Sequence, residues 1–258
     1  MRCNICNTDM SFIFNKNILN KYNVRYFYCP KCGYLTTEEP FWLKEAYSNA
    51  IAITDIGLIS RNIEMSKLLA CTLHFIVKNK DRCIDISGGY GILCRIMRDY
   101  GFHYYWDDPY CQNLFAKGFE AASHPGYFPV ASFFEVIEHT QSSMTLIEDI
   151  IKKYQSSFLI FSTELYKGKP PIDWWYYALE TGQHISFFNK VTLGTIARRL
   201  NMNLYSKNNI HILTTQKINK LKFTFGTNKF LSSILSLYIK YVKTSLLYND
   251  YMHTLKQI

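Results

Sequence analysis

Residues 82–91 read Arg82-Cys83-Ile84-Asp85-Ile86-Ser87-Gly88-Gly89-Tyr90-Gly91, and the reading of this stretch decides the fold. Cys83, Ile84 and Ile86 around Asp85 make a short strand, and the glycines after it let the backbone approach a ligand closely. Ile92 to Tyr100 follows with helical spacing and is stopped by Gly101, and Phe102 to Trp106 makes a second strand ending at Asp107-Asp108-Pro109. This is a β-α-β unit. Further on, Val130 to Phe134 is expected to be a strand leading into Glu135-Val136-Ile137-Glu138-His139. Met144 to Tyr154 reads as a helix and Ser157 to Phe161 as another apolar strand. Residues 190–201 read as a helix, and Leu204-Tyr205 with His211 to Thr214 as a closing strand pair. Strands alternating with helices imply a parallel, doubly wound α/β sheet.

Upstream, Phe41 to about Lys78 is mostly helical in pattern and broken near Gly57, after a turn and helix start at Thr36 to Pro40. At the front stand two thiolate pairs, Cys3-x-x-Cys6 and Cys29-x-x-Cys32. Each C-x-x-C places two sulfurs on one tight turn, so the four close a cage that prefers zinc. Gly33 follows the last ligand, where positive φ is often required. Residues 7–28 are alternating and aromatic enough for two short strands, which makes a zinc ribbon. A closed four-sulfur site offers no open coordination position, so the zinc is structural. Cys71, Cys83, Cys94 and Cys111 show no pairing pattern and read as small buried hydrophobes.

At 258 residues and 48% hydrophobic, the chain can bury one substantial core beside the ribbon. No apolar run is long enough to span a bilayer, and metal-type thiols without an export signal point to the cytoplasm. The net charge of +9 is uneven: residues 216–258 hold seven lysines against one acid, Asp250. Phe230, Ile234, Leu235, Leu237, Tyr238, Tyr241 and Val242 interleave with these lysines at near-helical spacing. The favoured reading is a helix that packs its apolar stripe on the core with solvated lysines outside; the alternative is peripheral contact with anionic membrane or nucleic acid.

In an open parallel sheet, ligands bind beyond the carboxyl ends of the strands. The Ser87 to Gly91 loop aims the free N–H groups of the next helix at such a ligand, and Asp108 ends the second strand, where a carboxylate can take both ribose hydroxyls. Together they indicate a nucleoside cofactor. Cys94 occupies the third glycine position of a dinucleotide fingerprint, so the pyrophosphate signature fails.

The set of Asp85, Gly89, Gly91, Asp108 and the later Phe134-Glu135-Val136-Ile137-Glu138-His139 resembles the class I methyltransferases that bind S-adenosylmethionine. Their strand-one motif D/E-x-G-x-G-x-G is matched by Asp85, Gly89 and Gly91, with Ser87 in place of the first glycine. A late H-x-x-x-F at His184 to Phe188 continues the resemblance, which covers about residues 80–215. It implies a Rossmann-like methyltransferase sheet in which Asp85, Ser87 and Gly88 bind the cofactor, Gly89 and Gly91 face its methionine part, Asp108 its ribose, and Phe134 and Glu135 the region beneath the methyl group. A four-cysteine ribbon in front of such a domain is similar to methyltransferases of sugar and surface-glycan biosynthesis, so the acceptor is expected to be a hydroxyl of a sugar or nucleotide-sugar.

Removing the proton of a sugar hydroxyl calls for a base. His184 is the first candidate, after the run Asp173-Trp174-Trp175-Tyr176-Tyr177, whose aromatic faces would pack on a sugar. The alternative is a histidine that holds this loop. His139 is the second candidate, oriented by Glu135 or Glu138, against an alternative role at a helix N-terminus. Glu164 and Tyr166 are expected to point into the same cleft, and Lys167 to Pro171 to form a basic loop. Other acceptors to weigh are a carbon of a nucleotide-sugar and a phosphorylated metabolite. An RNA methyltransferase is not expected, because no RNA-reading motif accompanies the lysines. A catalytically inactive relative is a further class. The chain divides in this reading into a ribbon (1–37), a helical connector (38–80), the cofactor-binding domain (81–216) and a basic helical tail (217–258).

Overall fold

The computed structural model describes residues 1–48, 55–77 and 82–256. The end of the expected helix at Lys78 lies outside them. In chain order the elements are β1 (Ser11–Ile18), β2 (Tyr22–Tyr28), β3 (Leu35–Thr37), α1 (Leu43–Ala46), α2 (Leu58–Phe75), β4 (Cys83–Ile86), α3 (Ile92–Asp99), β5 (Tyr104–Asp107) and β6 (Val130–Phe133). There follow α4 (Ser143–Tyr154), β7 (Phe158–Ser162), β8 (Ser186–Phe187), α5 (Lys190–Arg199), β9 (Asn203–Lys207), β10 (Ile210–Thr214), α6 (Lys220–Gly226), α7 (Lys229–Val242) and α8 (Leu247–Leu255). A six-stranded sheet has the order β5-β4-β6-β7-β10-β9, and a four-stranded sheet the order β1-β2-β3-β8. Among the described residues no helix is long and apolar enough to cross a membrane.

The chain forms two compact units. One comprises Asp55–Phe133, Ile150–Ile160 and Thr214–Ile258. Here β4 pairs in parallel with β5 on one side and β6 on the other, so successive strands leave β4 in opposite directions. That reversal creates a crevice beyond the carboxyl end of β4. All residues of β4 and β6 are buried, as strands covered on both faces should be, and the polar side chains among them, Asp85 and Ser132, bond to each other. In α3, Leu93, Cys94, Met97 and Arg98 form the buried face, and Gly101 ends the helix with φ +82°. Cys71, Cys83 and Cys94 are buried and Cys111 is half-buried.

The other unit comprises Met1–Thr54, Phe134–Asp149 and Phe161–Leu213. β1 and β2 form an antiparallel hairpin from Ser11↔Tyr28 to Ile18↔Tyr22, the strand pair expected between the cysteine pairs. Thr36 and Thr37, read as a turn, instead belong to β3, which pairs with β2 and, through Leu35↔Phe187 and Thr36↔Ser186, with β8. Both threonines are buried, and β-branched side chains suit a strand better than a turn. The core here is aromatic, gathering Tyr26, Trp42, Tyr166, Tyr176, Tyr177 and Phe187. A capping box of Asn189 and Thr192 starts α5.

The expected tail helix forms and its Lys229 and Lys240 are exposed, but its apolar stripe does not pack on the core. On α7, Ser232, Ser236 and Ile239 are buried, whereas Phe230, Ile234, Leu237, Tyr238 and Tyr241 are exposed. The small serines let α7 lie close on α2, where the Cys71 thiol reaches the Ser232 carbonyl at 3.7 Å. The bulky stripe therefore faces outward.

Candidate functional site

Near the carboxyl end of β4, the carboxylate of Asp85 is buried and accepts a hydrogen bond from Ser132 Oγ at 3.0 Å. Burial pushes its pKa up to about 7, with Asp108 adding repulsion. Ser87, standing where a glycine was expected, still takes the left-handed conformation with φ +53°. Gly88 is confined: a Cβ would lie 2.8 Å from Asp85 Oδ2 and 2.9 Å from Trp106 Cδ1. Gly89 has φ +54°, and a Cβ there would meet nothing within 4 Å, so its face is open for a ligand. Gly91 precedes α3 with φ +85°, and a Cβ there would strike Asn113 Oδ1 at 2.6 Å.

Asp108 holds this loop. Its Oδ2 accepts the Gly89 N–H at 2.9 Å, and its Oδ1 accepts those of Tyr110 and Cys111 at 2.8 and 3.1 Å. Trp106 Nε1 donates to the Gly89 carbonyl at 2.8 Å, pinning the loop from its other side. Asp107, the neighbouring acid, instead accepts from Tyr154 Oη at 2.7 Å. The open face of Gly89, an anchored carboxylate and the free N–H groups of α3 are the features a nucleoside cofactor with an amino-acid tail would use. Sequence reasoning missed Ser132 and Trp106, whose roles arise only once β4, β5 and β6 lie side by side.

In the other unit the expected catalytic residues also come together. Glu135 has φ +54°; its N–H donates to Ser162 Oγ at 2.9 Å, and that hydroxyl donates to Glu135 Oε1 at 2.7 Å. Phe134 is half-buried and Glu135 exposed. Glu138 is fully buried, takes the Tyr176 hydroxyl on Oε1 and leaves Oε2 without a partner. Burial, followed by the charge of Glu135, pushes its pKa up to about 8. His139 Nδ1 pairs with Tyr47 Oη at 2.7 Å. Its ring meets that of His184 edge-on at 4.8 Å. His184 Nδ1 lies 2.7 Å from the Tyr176 carbonyl oxygen. A carbonyl only accepts, so Nδ1 carries the proton and Nε2 is left basic. Burial lowers the pKa of His184 and favours this neutral form. One ligand atom each of Glu138, His139 and His184 lie within 4.8 Å of one another, a donor set that a divalent cation could occupy.

Two expectations fail here. Tyr176 and Tyr177 do not line a cleft: they are 3% and 1% exposed and pack in the aromatic core, leaving Trp175, at 75%, as the open face of the run. Tyr166 is likewise buried, with its hydroxyl on the Gly33 carbonyl. Glu164, by contrast, is half-buried and accepts from Asn209. An aromatic run of this length satisfies core packing as readily as ligand stacking, and sequence does not separate the two. Lys167 to Lys169 are exposed.

The Sγ atoms of Cys3, Cys6, Cys29 and Cys32 lie within 4.8 Å of one another, with Cys3–Cys32 at 3.6 Å and Cys6–Cys29 at 3.4 Å. These distances are too long for a disulfide of about 2.0 Å and close to the ~3.8 Å edge of a tetrahedron with metal–sulfur bonds of about 2.3 Å. Gly33 has φ +71°, as its position after the last cysteine requires.

Residues 61–207 match the family model of the methyltransferase domain. That is more than half of the chain, and the chain belongs to this family of methyltransferase domains. A search of the curated proteins finds no match. Among solved structures, the chain is similar to the mitomycin 7-O-methyltransferase, at 12% identity and a TM-score of 0.43 over 60% of this chain and 53% of that one. It is also similar to magnesium protoporphyrin IX methyltransferase from Synechocystis PCC 6803 with bound S-adenosylhomocysteine, at 14% identity and a TM-score of 0.40 over 66% and 90%. Human N-acetylserotonin methyltransferase in complex with S-adenosylmethionine aligns at 13% identity and a TM-score of 0.48 over 70% and 60%. The chain thus spans about half the length of the first of these.

Proposed function

We propose that this chain transfers a methyl group from S-adenosylmethionine to a hydroxyl of a small molecule, with a sugar or sugar-linked acceptor as the finer reading. The cofactor supplies an electrophilic methyl on a sulfonium. Asp85, Ser87, Gly88, Gly89 and Gly91 form its cradle, and Asp108 holds the loop and offers its remaining lone-pair capacity to the ribose. Phe134 and Glu135 are assigned to the region of the methyl. With the cofactor bound, Nε2 of His184 would take the acceptor's O–H proton, and the sulfonium would supply the methyl and depart as the thioether S-adenosylhomocysteine. The observation that carries this reading is the His184 Nδ1–Tyr176 carbonyl bond, which orients the ring and leaves Nε2 as the proton acceptor. Trp175 supports a sugar, because its exposed face lies beside Tyr176, whose ring in turn packs on His184 at 4.5 Å. The four-cysteine cluster holds one structural zinc ion.

The test is a mass-spectrometric screen of nucleotide-sugars and other hydroxylated metabolites with S-adenosylmethionine. His184→Ala should lower turnover by roughly 10²–10⁴-fold with cofactor affinity nearly unchanged. Retained turnover in that variant would transfer the role to His139 or to no protein base.

A second reading is favoured by the unpartnered Glu138 oxygen. With His139 and His184, Glu138 would hold a divalent cation that binds the acceptor oxygen and makes its proton easier to lose. Stoichiometric binding of added Mn²⁺, lost in Glu138→Gln, would select it over the base reading.

A further inference from the structure

The outward stripe of α7 is unlike the rest of the surface. Phe230, Ile234, Leu237, Tyr238 and Tyr241 recur at helical spacing, and their exposures run from 52% to 89%. A helix that turns Ser232, Ser236 and Ile239 inward and leaves these five bulky residues outward presents a face that water does not favour. The charged side chains of α6 and α7 are all lysines. Lys222, Lys229 and Lys240 are exposed along α6 and α7, and Asp250, the lone acid of residues 216–258, is buried against Arg98.

We propose that α7 docks this chain on an anionic membrane surface, with the apolar stripe entering the boundary between headgroups and acyl chains and the lysines pairing with lipid phosphates. Charge complementarity selects this occupant. A second copy of the chain would bring lysines of one sign against each other, and a nucleic acid would leave the phenylalanine, isoleucine and leucine uncovered. A helix with an apolar face and flanking lysines obtains both the burial and the electrostatic attraction from one anionic bilayer. The helix lies in the plane of the interface, since its 14 residues are too short to cross a bilayer.

The experiment is co-flotation of the whole protein with vesicles of phosphatidylcholine, alone or mixed with phosphatidylglycerol. Binding is expected on the mixed vesicles, weak on the neutral ones, and reduced as salt is raised. Phe230→Glu with Leu237→Glu should lower the affinity by about tenfold or more, and because both side chains are already exposed the fold should persist, as circular dichroism would verify. Lys222→Gln with Lys229→Gln should weaken binding and flatten its salt dependence. Absence of binding to the mixed vesicles, or binding that the Glu substitutions leave unchanged, would overturn the proposal. So would a concentration-dependent dimer, seen by sedimentation and abolished by the same substitutions, since a second copy would then cover the stripe.

Discussion

At the scale of single residues, Asp85 shows how burial turns a motif position into a pH-dependent term. Its carboxyl holds a proton up to about pH 7 in the folded protein, against about 4 in an unfolded chain. The folded state therefore binds the extra proton, and the stability this provides is complete below about pH 4 and lost as pH rises to about 7. Raising the pH from about 5 to about 8 should cost wild type roughly 2–3 kcal/mol through this residue. Asp85→Asn should lack that component, which urea titrations followed by tryptophan fluorescence at both pH values would measure. Equal pH dependence in the two proteins would show that the carboxyl is ionised despite its burial. His211 works in the opposite sense. It is buried between Ser206 and the Thr163 carbonyl, and burial lowers its pKa to about 4. The folded protein keeps it neutral while the unfolded chain takes a proton, so its contribution is lost as pH falls below about 6.5.

At the scale of elements, the hairpin of β1 and β2 is too small to be stable by itself, and two kinds of support surround it. One is β3, which joins the hairpin to β8. The other is the four-cysteine cluster, which ties residues 3–6 to residues 29–32. Protein purified without chelators should contain one zinc ion per chain, and Cys29→Ser should release it and lower the melting temperature, since metal binding is linked to folding. Zinc-free protein with the same melting temperature as the loaded form would contradict this. α5 leans on the same region, because the Thr192 hydroxyl donates to the Cys32 carbonyl at 2.9 Å, so loosening of the cluster should also show as faster amide exchange at the start of α5.

At the scale of the whole molecule, the one acid of the lysine-rich tail is also its anchor. Asp250 takes a bidentate pair from Arg98 at 2.8 and 2.6 Å and a further contact from Arg95 at 2.8 Å, while the Arg98 guanidinium lies 3.5 Å over the Phe119 ring. Asp250→Ala should destabilise the protein by about 3–5 kcal/mol, because it strands a buried arginine. Limited proteolysis should then cut within residues 244–256, and an unchanged digestion pattern would show that α8 is held by its apolar contacts alone. The β-α-β unit around Asp85, the glycine-rich loop after its first strand and the two cysteine pairs were legible in the sequence, whereas Asp108, read there as a ribose ligand, proved in the structure to tie the loop through the Gly89 N–H. The first three are local matters of hydrophobic period, backbone freedom and ligand spacing, which neighbouring residues decide between themselves. The tertiary structure alone decided that Thr36 and Thr37 are strand rather than turn, that Tyr176 and Tyr177 are core, that Glu138, His139 and His184 share one cluster, and that α7 turns Ser232 and Ser236 inward. Each depends on which distant segment covers a given face, and an apolar stripe looks the same in sequence whether it is covered by a core or left to meet something outside.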